Sequence, residues 1–225
     1  RFELFVFNLK LVNKGMINVL LKYGVASFLS GLIVALMMIY VRSQVVNNDS
    51  LELAGVWEAT IRILIYFNLL FALPISIQYI PIFSKSVSCI DINAHVIKLI
   101  LLIFSAMIVC IFVVFFVTDE IVIFLFNEEF MLISDVLIVA MIGEVFRVVS
   151  GMFSNLFYSK QWLVAPIFNE MSFALSFCVF VFTFYSDFGF SSLAYSYLLS
   201  SIVFFGLSVI SYRKLLNNKF NVGFE

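Results

Sequence analysis

Long apolar runs separated by short polar joints dominate the chain. Six of them, at about 17–44, 56–83, 95–117, 136–158, 163–185 and 193–212, reach or exceed the ~20 residues that a helix needs to cross the hydrocarbon core of a bilayer. Lipid offers backbone N–H and C=O groups no partner, so each run is predicted as a helix. The joints read VVNNDSLELAG, SKSVSCIDINA, SKQW and SDFGFSS. Pro74 and Pro81 fall inside the second run and predict a kink there. The apolar stretch 121–126 is too short to span and is flanked by acids, so 120–131 is expected to lie at the membrane interface. Residues 1–16 mix aromatics with Lys10 and Lys14 and read as a cytoplasmic surface segment, and 213–225 as a cytoplasmic tail. The predicted fold class is an all-α polytopic membrane protein of six transmembrane helices.

Composition agrees with the pattern. Hydrophobic residues make up 64% of the chain and charged residues 12%, against about 25% charged in soluble domains. With a net charge of −1 and no dense basic patch to release counterions, no nucleic-acid partner is expected. The distribution of charge is more informative. Arg1, Lys10, Lys14, Lys22, Lys85, Lys98, Lys160, Arg213, Lys214 and Lys219 all fall on one side of an alternating topology. Arg42 stands alone on the other, among Asp49, Glu52, Asp119, Glu120, Glu128, Glu129, Asp135 and Asp187. The positive-inside rule then places both ends of this chain in the cytoplasm. The chain begins at Arg1 without a signal-peptide pattern and reads as part of a longer sequence.

Charges inside the runs are the candidate chemistry, because a charge at the bilayer centre costs roughly 2.5–3.5 kcal/mol on insertion scales. In the fourth run Glu144, Arg147, Gly151, Asn155 and Tyr158 share one helical face, and Glu144 and Arg147 are spaced to pair along it. Glu58 and Arg62 are four apart in the second, with Tyr66 continuing the stripe. Ser27, Gly31, Val34, Met38 and Arg42 share a face of the first, and Glu170 lies beside the polar face Asn169, Ser172, Ser176 and Thr183 of the fifth. Each has a structural alternative. Glu58 suits the first turn of a helix at the interface, Arg42 can snorkel to headgroups, and the Gly31 stripe suits close helix packing. Glu144 with Arg147 can simply hold helices together, and Trp57 and Trp162 read as interface anchors. His95 is the only histidine and sits at the edge of a run, which argues against a His-based triad or a His metal cluster. The absence of GxxxxGK[ST] excludes ATP hydrolysis by this chain. No cofactor is expected, and short outer joints favour a transporter over an enzyme.

The ordered series GVWEATIRILIYFNLLFALPISIQYIPIFSK, FLFNEEF, LIVAMIGEVFRVVSGMFSNLFYSKQW and NEMS resembles the C-terminal half of the Wzx-type polysaccharide-unit flippases. These belong to the multidrug/oligosaccharidyl-lipid/polysaccharide superfamily. The resemblance implies one six-helix lobe of a twelve-helix, two-lobe fold in the bacterial inner membrane. It further implies a lipid-linked oligosaccharide substrate, cationic cavity residues facing its pyrophosphate, and an ion gradient as driving force. Arg42, Glu144 with Arg147, and Glu170 match the family's positions; Arg62 departs from them and rests on the stripe alone. On this reading Arg42, Arg62 and Arg147 hold pyrophosphate, while Glu144, Glu170 and Glu58 are cavity or ion-coupling acids. Implied partners are membrane lipid, an N-terminal lobe, a polysaccharide polymerase and a chain-length regulator. Two alternatives stand beside it: a cation-coupled multidrug exporter of the same superfamily, and a multispan polysaccharide polymerase or ligase.

Overall fold

A computed structural model describes residues 14–85 and 88–220. Six long helices run through them: α1 (Lys14–Asn48), α2 (Leu51–Lys85), α3 (Cys89–Leu125), α4 (Ile133–Ser159), α5 (Val164–Phe188) and α6 (Ser192–Phe220). There is no strand among the described residues. The apolar stretch Val164–Asn217 is 54 residues long, which as one helix would measure about 80 Å. It is instead folded back at the short 3₁₀ turn Gly189–Ser191, where Gly189 has φ 55°. Only a residue without Cβ takes that backbone conformation at no steric cost. The protein is thus an all-α, multi-pass membrane protein.

Most helices outrun the apolar runs that announce them, and several joints are shorter than the sequence suggests. The VVNNDSLELAG stretch is almost wholly helical, leaving Asp49 and Ser50 as the connection. The physical reason is capping: Ser50 Oγ accepts the N–H of Leu53 at 3.2 Å, and Asn48 donates to the carbonyl of Gln44 at 2.7 Å. Ser88 likewise caps α3 by accepting from Ile90 N. The 120–131 segment is not a separate element at its start. It continues α3 past a break at Val117 (φ −123°, ψ 19°) and ends in the 3₁₀ turn Glu128–Phe130. The sequence-predicted tail from 213 is helical as far as Phe220, with 221–225 outside the described residues, as is 1–13 of the predicted surface segment. α2 passes through Pro74 and Pro81 without ending.

The helices are unequally buried. α4 is the central column, packed against α2, α3 and α6. α1 packs mainly along α5, which packs along α6. The outer faces of α1, α2 and α3 present large apolar side chains such as Leu20, Leu70, Phe112 and Phe124, the surface that acyl chains cover. Gly143 sets the tightest crossing. A Cβ there would lie 3.0 Å from both Leu198 Cα and Tyr197 Cδ1, so only glycine lets α4 and α6 approach this closely. Gly31, read from sequence as a packing glycine, has nothing within 4 Å of where a Cβ would be. Trp57 also departs from its reading as an interface anchor. It is only 3% exposed, packed against Phe177 and Tyr197, because α2 begins six residues earlier and carries it inward.

Candidate functional site

A groove opens between α1 and α2, which touch each other little, and α4 forms its floor. Three cavities lie along it. The outermost, about 170 Å³, is walled by Arg42, Trp57 and Glu58. The middle one, about 260 Å³, takes in Asn68, Glu144, Arg147 and Tyr197, and shares Met38 with the first. The third, about 230 Å³, is walled by Gly151, Asn155, Tyr158 and Glu170. All five positions of the face predicted on the fourth run therefore line the groove, two in the middle cavity and three in the third.

Glu144 and Arg147 do not pair with each other, contrary to the spacing argument. Glu144 is 3% exposed and accepts hydrogen bonds from Asn68 Nδ2 on α2 and from the Tyr197 hydroxyl on α6. Arg147 reaches across to α5, where its Nη2 lies 3.9 Å from Glu170 Oε2. Side chains three apart on a helix are neighbours, but stronger partners on adjacent helices take both groups. The Arg147–Glu170 contact is longer than a hydrogen bond, so the guanidinium is not locked to that carboxylate. Its guanidinium carbon lies over the Phe173 ring, 4.1 Å from the centroid, with the Tyr197 and Phe204 centroids each at 5.9 Å. A desolvated cation–π contact is worth about 2 kcal/mol and holds the cation in place without using its N–H donors. The Tyr197 hydroxyl takes one of those donors, and Arg147 offers the rest of its planar fork, near the middle of α4, to whatever occupies the groove.

Arg42, Glu58 and Arg62 form a second cluster. Glu58 bridges Arg42 at 3.5 Å and Arg62 at 3.2 Å, and all three side chains are exposed. Glu58 is not in the first turn of its helix, as sequence suggested, because α2 starts at Leu51. Tyr66 leaves the stripe and faces an apolar crevice between α2 and α3, walled also by Leu70 and Val114. Of the polar face on the fifth run, Asn169 is buried and donates to Ser208 at 3.2 Å, whereas Ser172 and Thr183 bond to their own helix. Asn68 and Tyr197 were not singled out by sequence. Asn68 had a signal: an amide in the centre of an apolar run needs a partner there.

No family model matches the sequence, and neither a curated protein nor a solved structure matches it. What fold and site define is a multi-pass helical membrane protein with a groove at the middle of α4, floored by a buried carboxylate and an aromatic-backed arginine.

Proposed function

We propose that this chain is one lobe of a transporter, a flippase that moves lipid-linked oligosaccharide from the cytoplasmic to the periplasmic leaflet of the bacterial inner membrane. The observation that carries the reading is Arg147: a guanidinium at mid-helix, facing a groove and backed by Phe173, with a 3.9 Å ion pair to Glu170 and the Tyr197 hydroxyl beside it. Such a group is suited to a pyrophosphate, whose charge the fork of donors meets bidentately. Arg42 on the wall of the outermost cavity, with Arg62 sharing the single carboxylate of Glu58 beside it, adds positive charge at that end. In this reading an N-terminal lobe closes the groove from the other side, and rocking of the lobes gives alternating access. Glu144 and Glu170 are the acids available to couple rocking to a proton gradient by changing charge. Both ends of the chain are cytoplasmic, and a polymerase and a chain-length regulator act downstream. The test is Arg147→Ala in the full-length protein at matched expression. Surface polysaccharide should fall to a small fraction of the normal level, and unchanged polymer refutes substrate binding by Arg147.

One observation favours a second reading, a cation-coupled exporter of small drugs. The Tyr197 ring and the buried Glu144, both on the wall of the middle cavity, also suit an organic cation. Drug resistance on expression, with surface polysaccharide unaffected, would support it over the first.

A further inference from the structure

The third cavity of the groove differs in kind from the middle one. Its polar wall comes from four helices: Ser30 on α1, Ser76 on α2, Ser154, Asn155 and Tyr158 on α4, and Glu170 on α5. Asn155 donates to Ser76 Oγ at 2.9 Å, which fixes one side of the wall. Two other wall atoms, Ser30 Oγ and Glu170 Oε2, are buried without a hydrogen-bond partner. Buried polar atoms in native proteins are nearly always bonded, so two orphans in one cavity mark where a ligand supplies the missing bonds. Gly151 leaves the cavity open: a Cβ there would meet nothing within 4 Å.

Charge narrows what that ligand is. The wall holds no lysine, arginine or histidine, so nothing in it attracts an anion. Glu170 is already faced by Arg147 at 3.9 Å, so a free cation would meet the guanidinium beside its carboxylate ligand. What remains is a neutral group rich in hydroxyls, which donate to the carboxylate and accept from serine, asparagine and tyrosine. The volume of about 230 Å³ equals that of roughly eight liquid waters, enough for one sugar ring. We propose that this cavity binds a single neutral pyranose, with Glu170 and Ser30 taking its hydroxyls. The further statement that this ring is the one nearest the pyrophosphate rests on the proposed function.

The experiment measures binding to the full-length protein in nanodiscs with three probes: a prenyl pyrophosphate, the same molecule carrying one glucose, and octyl glucoside. The glucose should raise affinity for the prenyl pyrophosphate by about tenfold, the effect of two or so hydrogen bonds. Ser30→Ala, which deletes a hydroxyl of the cavity wall beside Tyr158, should remove about fivefold of that gain. Gly151→Leu, which fills the cavity, should abolish it, and both variants should bind bare prenyl pyrophosphate as the parent does. Equal affinity for the sugar-bearing and bare probes, or indifference to both variants, overturns the proposal and leaves the cavity holding water alone. Octyl glucoside separates the two readings. If it binds and Gly151→Leu blocks it, while bare prenyl pyrophosphate ignores Arg147→Ala, the sugar site stands and the pyrophosphate assignment falls.

Discussion

Tyr197 on α6 donates its hydroxyl to Glu144 on α4, at the one crossing where the two helices are held together by a glycine. The same carboxylate accepts from Asn68 on α2, so one buried acid ties three helices. Interhelical hydrogen bonds in membrane proteins average only about 0.6 kcal/mol, because partners are also found in the unfolded state. Stranding a buried carboxylate costs more, about 1–3 kcal/mol. Tyr197→Phe is therefore expected to destabilise the protein by about 1–2 kcal/mol. A double-mutant cycle with Glu144→Gln, read from reversible unfolding in mixed micelles, should show a coupling of about 1 kcal/mol. Additivity within error would mean that the hydroxyl and the carboxylate act independently.

Gly143 and Gly151 lie two turns apart on α4 and should respond oppositely to the same substitution. Gly143→Ala drives a methyl to 3.0 Å from the α6 backbone and is expected to cost about 1–3 kcal/mol. Gly151→Ala meets nothing within 4 Å and is expected to be neutral or to stabilise by about 0.5–1 kcal/mol. Thermal melting of the two purified variants decides this, and equal melting temperatures contradict the described crossing.

The two tryptophans should differ in accessibility. Trp57 is sealed against Phe177 and Tyr197, whereas Trp162 is partly exposed and packs edge-on to Phe157. In single-tryptophan variants, acrylamide and brominated lipid should quench Trp162 several-fold more strongly than Trp57. Comparable quenching of both would return Trp57 to the interface role that its sequence position suggests.

The exposed Arg42–Glu58–Arg62 cluster should matter little for stability. Exposed ion pairs contribute about 0–1 kcal/mol, so Glu58→Gln is expected to leave unfolding within about 0.5 kcal/mol of the parent. Transport should still change, because the substitution leaves Arg42 on the cavity wall, and Arg62 beside it, without their shared carboxylate. A large loss of stability would show that the cluster is structural.

These contrasts show which features were legible in the chain. The groove floor was, because helical spacing alone places Glu144, Arg147, Gly151, Asn155 and Tyr158 on one face, and that face lines the cavities. The partners on it were not. Arg147 pairs with Glu170 and Glu144 with Asn68 and Tyr197 because of how α4 crosses three other helices, and crossing geometry has no signature within one helix. Trp57 and Glu58 were misplaced for a different reason. Hydropathy marks where lipid begins, whereas capping by Ser50 marks where the helix begins, and α2 starts before its apolar run. Gly31 and Gly143 look alike in sequence, and only the neighbouring helix distinguishes the open glycine from the one that permits contact.

The most direct measurement of the central claim follows a fluorescent lipid-linked oligosaccharide across liposomes containing the full-length protein, with Arg147→Ala and Arg147→Lys alongside the parent. A lysine keeps the charge but not the planar fork. The parent should flip the lipid, Arg147→Ala should lose at least about tenfold, and Arg147→Lys should fall between them. Flipping by Arg147→Ala at the parent's rate, with the protein folded and equally reconstituted, would contradict that claim.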